Sequence, residues 1–349
     1  MLLRYGESFV SVEVEMEQQI EPEHQITRSV WMYLVLAYGF AWTAWIVSIK
    51  LHASEEFLNI GTAGPALAAM VLSYRRHSDH SYRLLPRSLT FLALLASCWI
   101  VLSLYYAWRV SSHLSFRLDP WLIIPSILPA WIISGVFSGD SGVRSLLRRL
   151  VHRPDRWSLI GFLLFPAILL LGTLVAKLLH QPLVKPIGHG SITSAIAFGV
   201  IFFLYNLLFV AALEEPGWRG LLLDRLQKKR SPLVASVLVW LPWALWHAPL
   251  DYYRPARFSL ATYLEIRVIF LIPLVIILTW LYNRSARSIQ ASAMFHASMN
   301  TFPFVLPYFM AGFVLLFVVA GYVIVADRMW RVGLSPIGQN RGDITTIRG

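Results

Sequence analysis

Charge is what this chain has least of. Only 14% of its 349 residues are Asp, Glu, Lys or Arg, where a soluble domain of that length carries roughly a quarter. The shortage excludes an ordinary water-soluble globule. Cysteine is nearly absent as well: Cys98 stands alone, which excludes an intrachain disulfide framework and a thiolate-rich metal site. Cys98 falls within an apolar run and reads as a small packing residue. No His-Glu-x-x-His occurs, so the zincin signature is missing. No internal repeat of the kind that builds inverted-topology transporters is visible, nor is any soluble domain or low-complexity linker. A cleavable signal peptide is not expected either, because residues 1–28 are polar and carry Glu7, Glu13, Glu15, Glu17, Glu21 and Glu23.

Apolar residues fill the space that charge leaves, at 57% of the chain. They form ten runs, at about 30–49, 56–74, 89–110, 120–138, 157–179, 196–222, 233–249, 260–282, 288–302 and 304–326. About 20 apolar residues span the hydrocarbon core as a helix, and the absence of two-residue alternation argues against a barrel. The expected fold is therefore an all-α, polytopic transmembrane helical bundle of about ten membrane segments, the ninth being short. Prolines within the runs, such as Pro125, Pro129, Pro166 and Pro273, are compatible with membrane helices when neighbours take up the freed carbonyls.

The net charge of +11 would suggest nucleic acid in a soluble protein. Here the cations lie in loops, and they alternate. Arg75, Arg76, Arg83 and Arg87 follow the second run, and Arg144, Arg148, Arg149, Arg153 and Arg156 the fourth. Arg225, Lys228, Lys229 and Arg230 follow the sixth, Arg284 and Arg287 the eighth, and Arg328, Arg331, Arg341 and Arg348 the tenth. Every second loop being basic points to a multi-pass cell-membrane protein with both termini cytoplasmic, the bilayer as its partner, and no nucleic acid. The expected organisation is a polar cytoplasmic N-terminal tail at 1–28, N-terminal membrane helices at 29–193, a functional core at 194–302, a last helix at 303–327, and a basic cytoplasmic tail at 328–349.

Charge within a membrane span is costly and usually functional. It concentrates in Glu214-Glu215-Pro216-Gly217-Trp218-Arg219, in Trp243-Ala244-Leu245-Trp246-His247, and in His296-Ala297-Ser298-Met299-Asn300. Residues four apart share a helix face, so Glu215 can pair with Arg219, Trp243 shares a face with His247, and His296 with Asn300. Glu214, turned by about 100° from Glu215, is left to face another neighbour. Pro216 lacks an N–H, which predicts a kink beside the carboxylates. Measured from the basic loops at 1.5 Å per residue, Glu214, His296, Asn300 and His247 lie about 16, 14, 20 and 24 Å deep. Three spans can thus present these groups at one level. Glu265 and Arg267 read as interfacial or pairing residues, and His189 as a solvated residue of an outer loop. Gly139-Asp140-Ser141-Gly142 has the look of a serine-nucleophile motif, but it has no partner placed beside it.

The ordered motifs Glu214-Glu215-x-x-x-Arg219, an aromatic four before His247, and His296-x-x-x-Asn300 resemble those of the CPBP family. Its members are type II CAAX prenyl endopeptidases and bacteriocin-processing or immunity membrane proteins. The likeness covers about 194–302. Gly64-Pro65-Ala66-Leu67-Ala68-Ala69 and the basic loop at 142–156 also resemble bacterial members. The departure is Trp243, where the family usually has Phe. The resemblance implies an intramembrane glutamic endopeptidase acting on a membrane-associated protein or peptide. In it Glu214 and His247 activate water, His296 and Asn300 stabilise the oxyanion, and Glu215, Arg219 and Trp243 hold the site in shape. No cofactor is implied. Two histidines with a glutamate leave a zinc site as a less favoured alternative, and a non-catalytic immunity or scaffold protein of the same fold is the other alternative.

Overall fold

A computed structural model describes residues 23–75, 84–111, 117–186, 191–253 and 259–332. His189 and most of both tails lie outside the described residues. All ten apolar runs contain helix, the tenth only from Met310 on apart from a short turn at its start. They are α1 (Glu23–Lys50), α2 (Glu55–Thr62) with α3 (Gly64–Ser73), and α4 (Leu84–Ser111). Next come α5 (Ile123–Ser134), the short α6 (Ser141–Arg148) in a basic loop, and α7 (Arg156–Leu178). The continuous α8 (Ile192–Gln227) is followed by α9 (Pro232–Trp246) and α10 (Ala248–Tyr253). The chain then forms α11 (Leu260–Arg284), α12 (Ile289–Thr301) and α13 (Val314–Ala326).

Among the described residues seven stretches are long and apolar enough to cross a bilayer, fewer than the ten runs suggest. The second run breaks at Ala63, whose backbone caps α2 and starts α3, with Pro65 in the first turn of the new helix. The ninth, α12, has 13 residues and sits in the interior: Ala291, Ser292, Phe295, His296 and Ser298 are all buried. Large apolar side chains such as Leu163, Leu170 and Leu174 on α7 are about half exposed. An apolar exterior of this kind needs lipid rather than water around it. The protein is a multi-pass membrane bundle.

The loops sort by end. Arg75 N–H donates to Asp140 at 2.8 Å. Arg149 donates to Asp224 and to the Tyr282 hydroxyl, both at 2.8 Å. His152 meets Ser288 at 2.7 Å, and Arg284 pairs with Asp327. The basic loops after the second, fourth, sixth, eighth and tenth runs therefore gather at one end of the bundle. At the other end Val184 and Tyr308 form a short antiparallel bridge. Asp140, from the apparent serine motif, is spent on this packing: it accepts from Arg75 and caps α6 through Val143 N–H at 2.8 Å.

Small residues let the helices carrying the polar motifs approach their supports. A Cβ on Gly161 of α7 would lie 2.3 Å from the Ala291 carbonyl of α12, and one on Gly217 of α8 would lie 2.5 Å from Pro65 of α3. Gly217→Ala should therefore destabilise the bundle by about 1–3 kcal/mol through overpacking. Gly39→Ala, whose Cβ would meet nothing within 4 Å, should be neutral or stabilising by up to about 1 kcal/mol. Thermal unfolding of the two variants in detergent measures this, and equal melting temperatures would contradict it.

Candidate active site

Helix α8 is not regular where it carries its charges. π-helical turns at Leu207–Ala211 and Trp218–Leu223 flank the α-helical Ala212–Gly217. Pro216 removes one N–H from the hydrogen-bond ladder of this stretch, and π turns in helices gather at functional positions. The expected disturbance beside the carboxylates takes this form. Glu214, Glu215 and Arg219 are all buried, at 2%, 0% and 0% exposure.

Glu215 holds two partners on one oxygen. Its Oε1 accepts from Arg219 at 2.9 Å, one helical turn on, and lies 2.7 Å from His296 Nδ1 on α12. The carboxylate thus ties α8 to α12, which spacing within α8 did not predict. Arg219 gives Glu215 a single hydrogen bond and lays its guanidinium on the Trp243 ring, 4.3 Å from the centroid. Stacking of this kind suits a weakly hydrated cation that is fully buried.

Trp243 of α9 is the second hub. Its Nε1 donates to Glu214 Oε2 at 2.8 Å, and its carbonyl accepts from His247 Nδ1 at 2.8 Å. Its ring packs edge-on against His296, with centroids 5.2 Å apart. The neighbour that Glu214 faces is thus the indole N–H. Phenylalanine, the residue the resemblance leads one to expect, has no such donor. The carbonyl can only accept, so Nδ1 of His247 carries the proton and the lone pair of the neutral ring is on Nε2.

Glu214, Trp243, His247, His296 and Asn300 line one cavity of about 680 Å³. The structure therefore brings every motif residue singled out above to the cavity wall, except Glu215 and Arg219, which lie behind it as supports. Among the described residues no group of three or more His, Cys, Asp or Glu side chains is arranged to hold a metal ion.

Sequence reading missed several wall residues. Arg267, expected to be interfacial or paired, lines the cavity and donates twice to Asp251, at 2.6 and 2.9 Å. Asp251 is 1% exposed; its position just past the apolar run hid it, although an acid 16 residues before a membrane arginine was a usable sign. Glu265, by contrast, is exposed. Glu56 of α2 is buried on the cavity wall and pairs with Arg109 of α4 at 2.8 Å. The wall also carries a run of ring contacts through Trp108, Phe198, Phe202, Tyr105 and Tyr205, which spans α4 and α8.

Comparison with known proteins gives two matches. Residues 196–302 match the family of Rce1-like type II CAAX prenyl endopeptidases. The chain is also 29% identical to a CAAX prenyl protease 2 of Methanococcus maripaludis, over 56% of this chain and 78% of that relative. The matched segment runs from α8 to the end of α12 and holds all three motifs.

The buried ion pair makes a specific demand. Arg219→Ala leaves Glu215 without its cation in a water-poor interior, a loss of about 3–5 kcal/mol. Lower yield and a lower melting temperature should follow. Adding Glu215→Gln should restore part of the loss, because the orphaned charge is then gone. A single variant as stable as the parent would show that the pair carries no stability.

Proposed function

We propose, from its likeness to Rce1-like type II CAAX prenyl endopeptidases, that the chain is a membrane protease of the CPBP family and hydrolyses a peptide bond of a membrane-associated protein or peptide with water activated at Glu214. The observation that carries this reading is the convergence of Glu214, His247, His296 and Asn300 from three helices on one cavity. Glu214 Oε2 is occupied by the Trp243 indole, which leaves Oε1 to accept a proton from water. His247, with its lone pair on Nε2, is the second acceptor for that water. Attack on the scissile carbonyl places negative charge on its oxygen; the groups on hand to stabilise it are the Asn300 amide and His296, which as an imidazolium donates from Nε2 while Nδ1 donates to Glu215. The proton held by Glu214 then passes to the leaving amine, and the carboxylate is regenerated. Glu215 fixes the His296 ring through Nδ1 and so decides which nitrogen faces the substrate.

No step here uses a metal. The buried guanidinium of Arg219 beside Glu215 and the Trp243 ring supports electrostatics supplied by side chains. The relative's name, CAAX prenyl protease, suggests prenylated peptides as the substrate class to try first.

Glu214→Gln keeps the shape and the acceptor for Trp243 but removes the base. Cleavage should fall at least about a hundredfold with membrane expression unchanged, while exhaustive chelation leaves the parent fully active. Wild-type turnover by Glu214→Gln would sink the mechanism and favour the non-catalytic reading. Stoichiometric zinc whose removal and return switch activity off and on would replace the mechanism with a metal-dependent one.

The gathering of basic loops at one end supports a cytoplasmic location for that end. With Cys98 replaced by Ser, a cysteine at 229 or 286 should react with an impermeant thiol reagent only after the membrane is opened. Cysteines at 52 or 181 should react in intact cells. Labelling of 229 from outside would invert the orientation.

A further inference from the structure

The part of the cavity wall that α2 contributes holds polar atoms that the protein itself leaves unused. Glu56 and Asn59 lie three apart on α2 and so share a face, and both line the cavity. The Glu56 side chain is 2% exposed and binds Arg109 through Oε1. Its Oε2 has no hydrogen-bond partner among the described residues, and neither has Asn59 Nδ2. Asn59 Oδ1, by contrast, is held by the Tyr205 hydroxyl at 3.0 Å. Tyr205 lies nine residues before Glu214 on α8, so this hydrogen bond joins the Glu56–Asn59 face to the helix that carries the base.

A buried acceptor and a buried donor left unpaired cost about 1–3 kcal/mol each, and such groups in folded proteins call for a partner. The partner needed here has one donor and one acceptor close together. It is also neutral, because Arg109 already balances the charge of Glu56. A main-chain residue in extended conformation meets all three conditions, presenting its N–H and C=O toward the same side. We propose that Glu56 and Asn59 form a main-chain anchor for the peptide substrate: Oε2 accepts a backbone N–H and Nδ2 donates to a backbone carbonyl. Such an anchor reads no side chain. It fixes the depth and register of the peptide, while the aromatic run beside it, from Trp108 to Tyr205, takes the apolar parts. The inference rests on the cavity being the substrate site.

The test is a backbone-ester scan. An ester removes one N–H and weakens the neighbouring carbonyl as acceptor without altering any side chain. The probe is a farnesylated peptide ending in cysteine, two aliphatic residues and a variable one, together with its single-ester versions at each non-scissile bond. Binding is read on the Glu214→Gln protein from quenching of the cavity tryptophans. Two adjacent ester positions should weaken binding: one, by about tenfold, removes the N–H held by Glu56, and the next weakens the carbonyl held by Asn59. In Glu214→Gln with Asn59→Leu, the all-amide peptide should bind about tenfold more weakly, and the second ester should no longer matter while the first still does. Asn59→Asp, which keeps the shape and exchanges donor for acceptor, should behave in the same way and serves as the second variant if Asn59→Leu does not fold. Uniform tolerance of esters, unchanged sensitivity to the second ester in both Asn59 variants, or tight binding only of peptides carrying a lysine would each overturn the anchor. Cleavage by the parent is measured separately. Binding without cleavage would sink the protease reading alone, and cleavage without an ester effect would sink the anchor alone.

Discussion

A carboxylate and a guanidinium one helical turn apart, both without solvent exposure, set the terms for the rest of the site. Glu215 and Arg219 cannot stand alone where they are, since an uncompensated charge in a low-dielectric interior is strongly destabilising. Each therefore recruits neighbours. Arg219 needs a flat apolar surface for the part of its guanidinium that Glu215 does not bind, and Trp243 provides it at 4.3 Å. Glu215 needs a second donor, and His296 provides it from 81 residues along the chain. Meeting those two needs draws α9 and α12 against α8. Trp243 then delivers its N–H to Glu214 and its carbonyl to His247, and α12 delivers Asn300 one turn beyond His296. The proposed catalytic arrangement follows from neutralising a pair to which the proposal assigns no chemical step.

The helices that accept these contacts are shaped for them. The π turns on either side of Ala212–Gly217 rotate the side chains that follow, relative to a regular helix. Gly217 and Gly161 remove the side chains that would keep α3 and α7 at a distance. At the basic end Arg149 joins α8 through the Gly220 carbonyl at 2.6 Å and Asp224 at 2.8 Å, and α11 through the Tyr282 hydroxyl at 2.8 Å. The helix that bears Glu214 is thus held at the C-terminal end of its irregular stretch.

Much of this was legible in the sequence, and the limit falls at a physical boundary. The apolar runs, the alternation of basic loops and the three motifs are local or periodic features. The Glu215–Arg219 pair follows from a four-residue spacing alone. What the sequence did not yield depends on which helices touch. The Trp243 indole reaching Glu214, His296 reaching Glu215, Arg267 held by Asp251, and Glu56 held by Arg109 all join separate elements. Glu56 and Asp251 were overlooked for a further reason: each sits at the edge of an apolar run, where a charge looks interfacial. The tertiary fold then carries it inward. The second run looked like a plain span, yet it breaks at Ala63, and that break gives α2 the independence to bring Glu56 and Asn59 to the cavity.

The central claim is that water, and not the carboxylate itself, attacks the peptide bond. A single turnover in water enriched in oxygen-18, with enzyme in excess over a cleavable peptide, distinguishes the two directly. Water activated at Glu214 places the heavy oxygen in the new carboxyl group of the product in the first turnover and leaves the enzyme unlabelled. A product without the label, together with oxygen-18 in the peptide containing Glu214, would mean that Glu214 forms an acyl intermediate and would contradict the account.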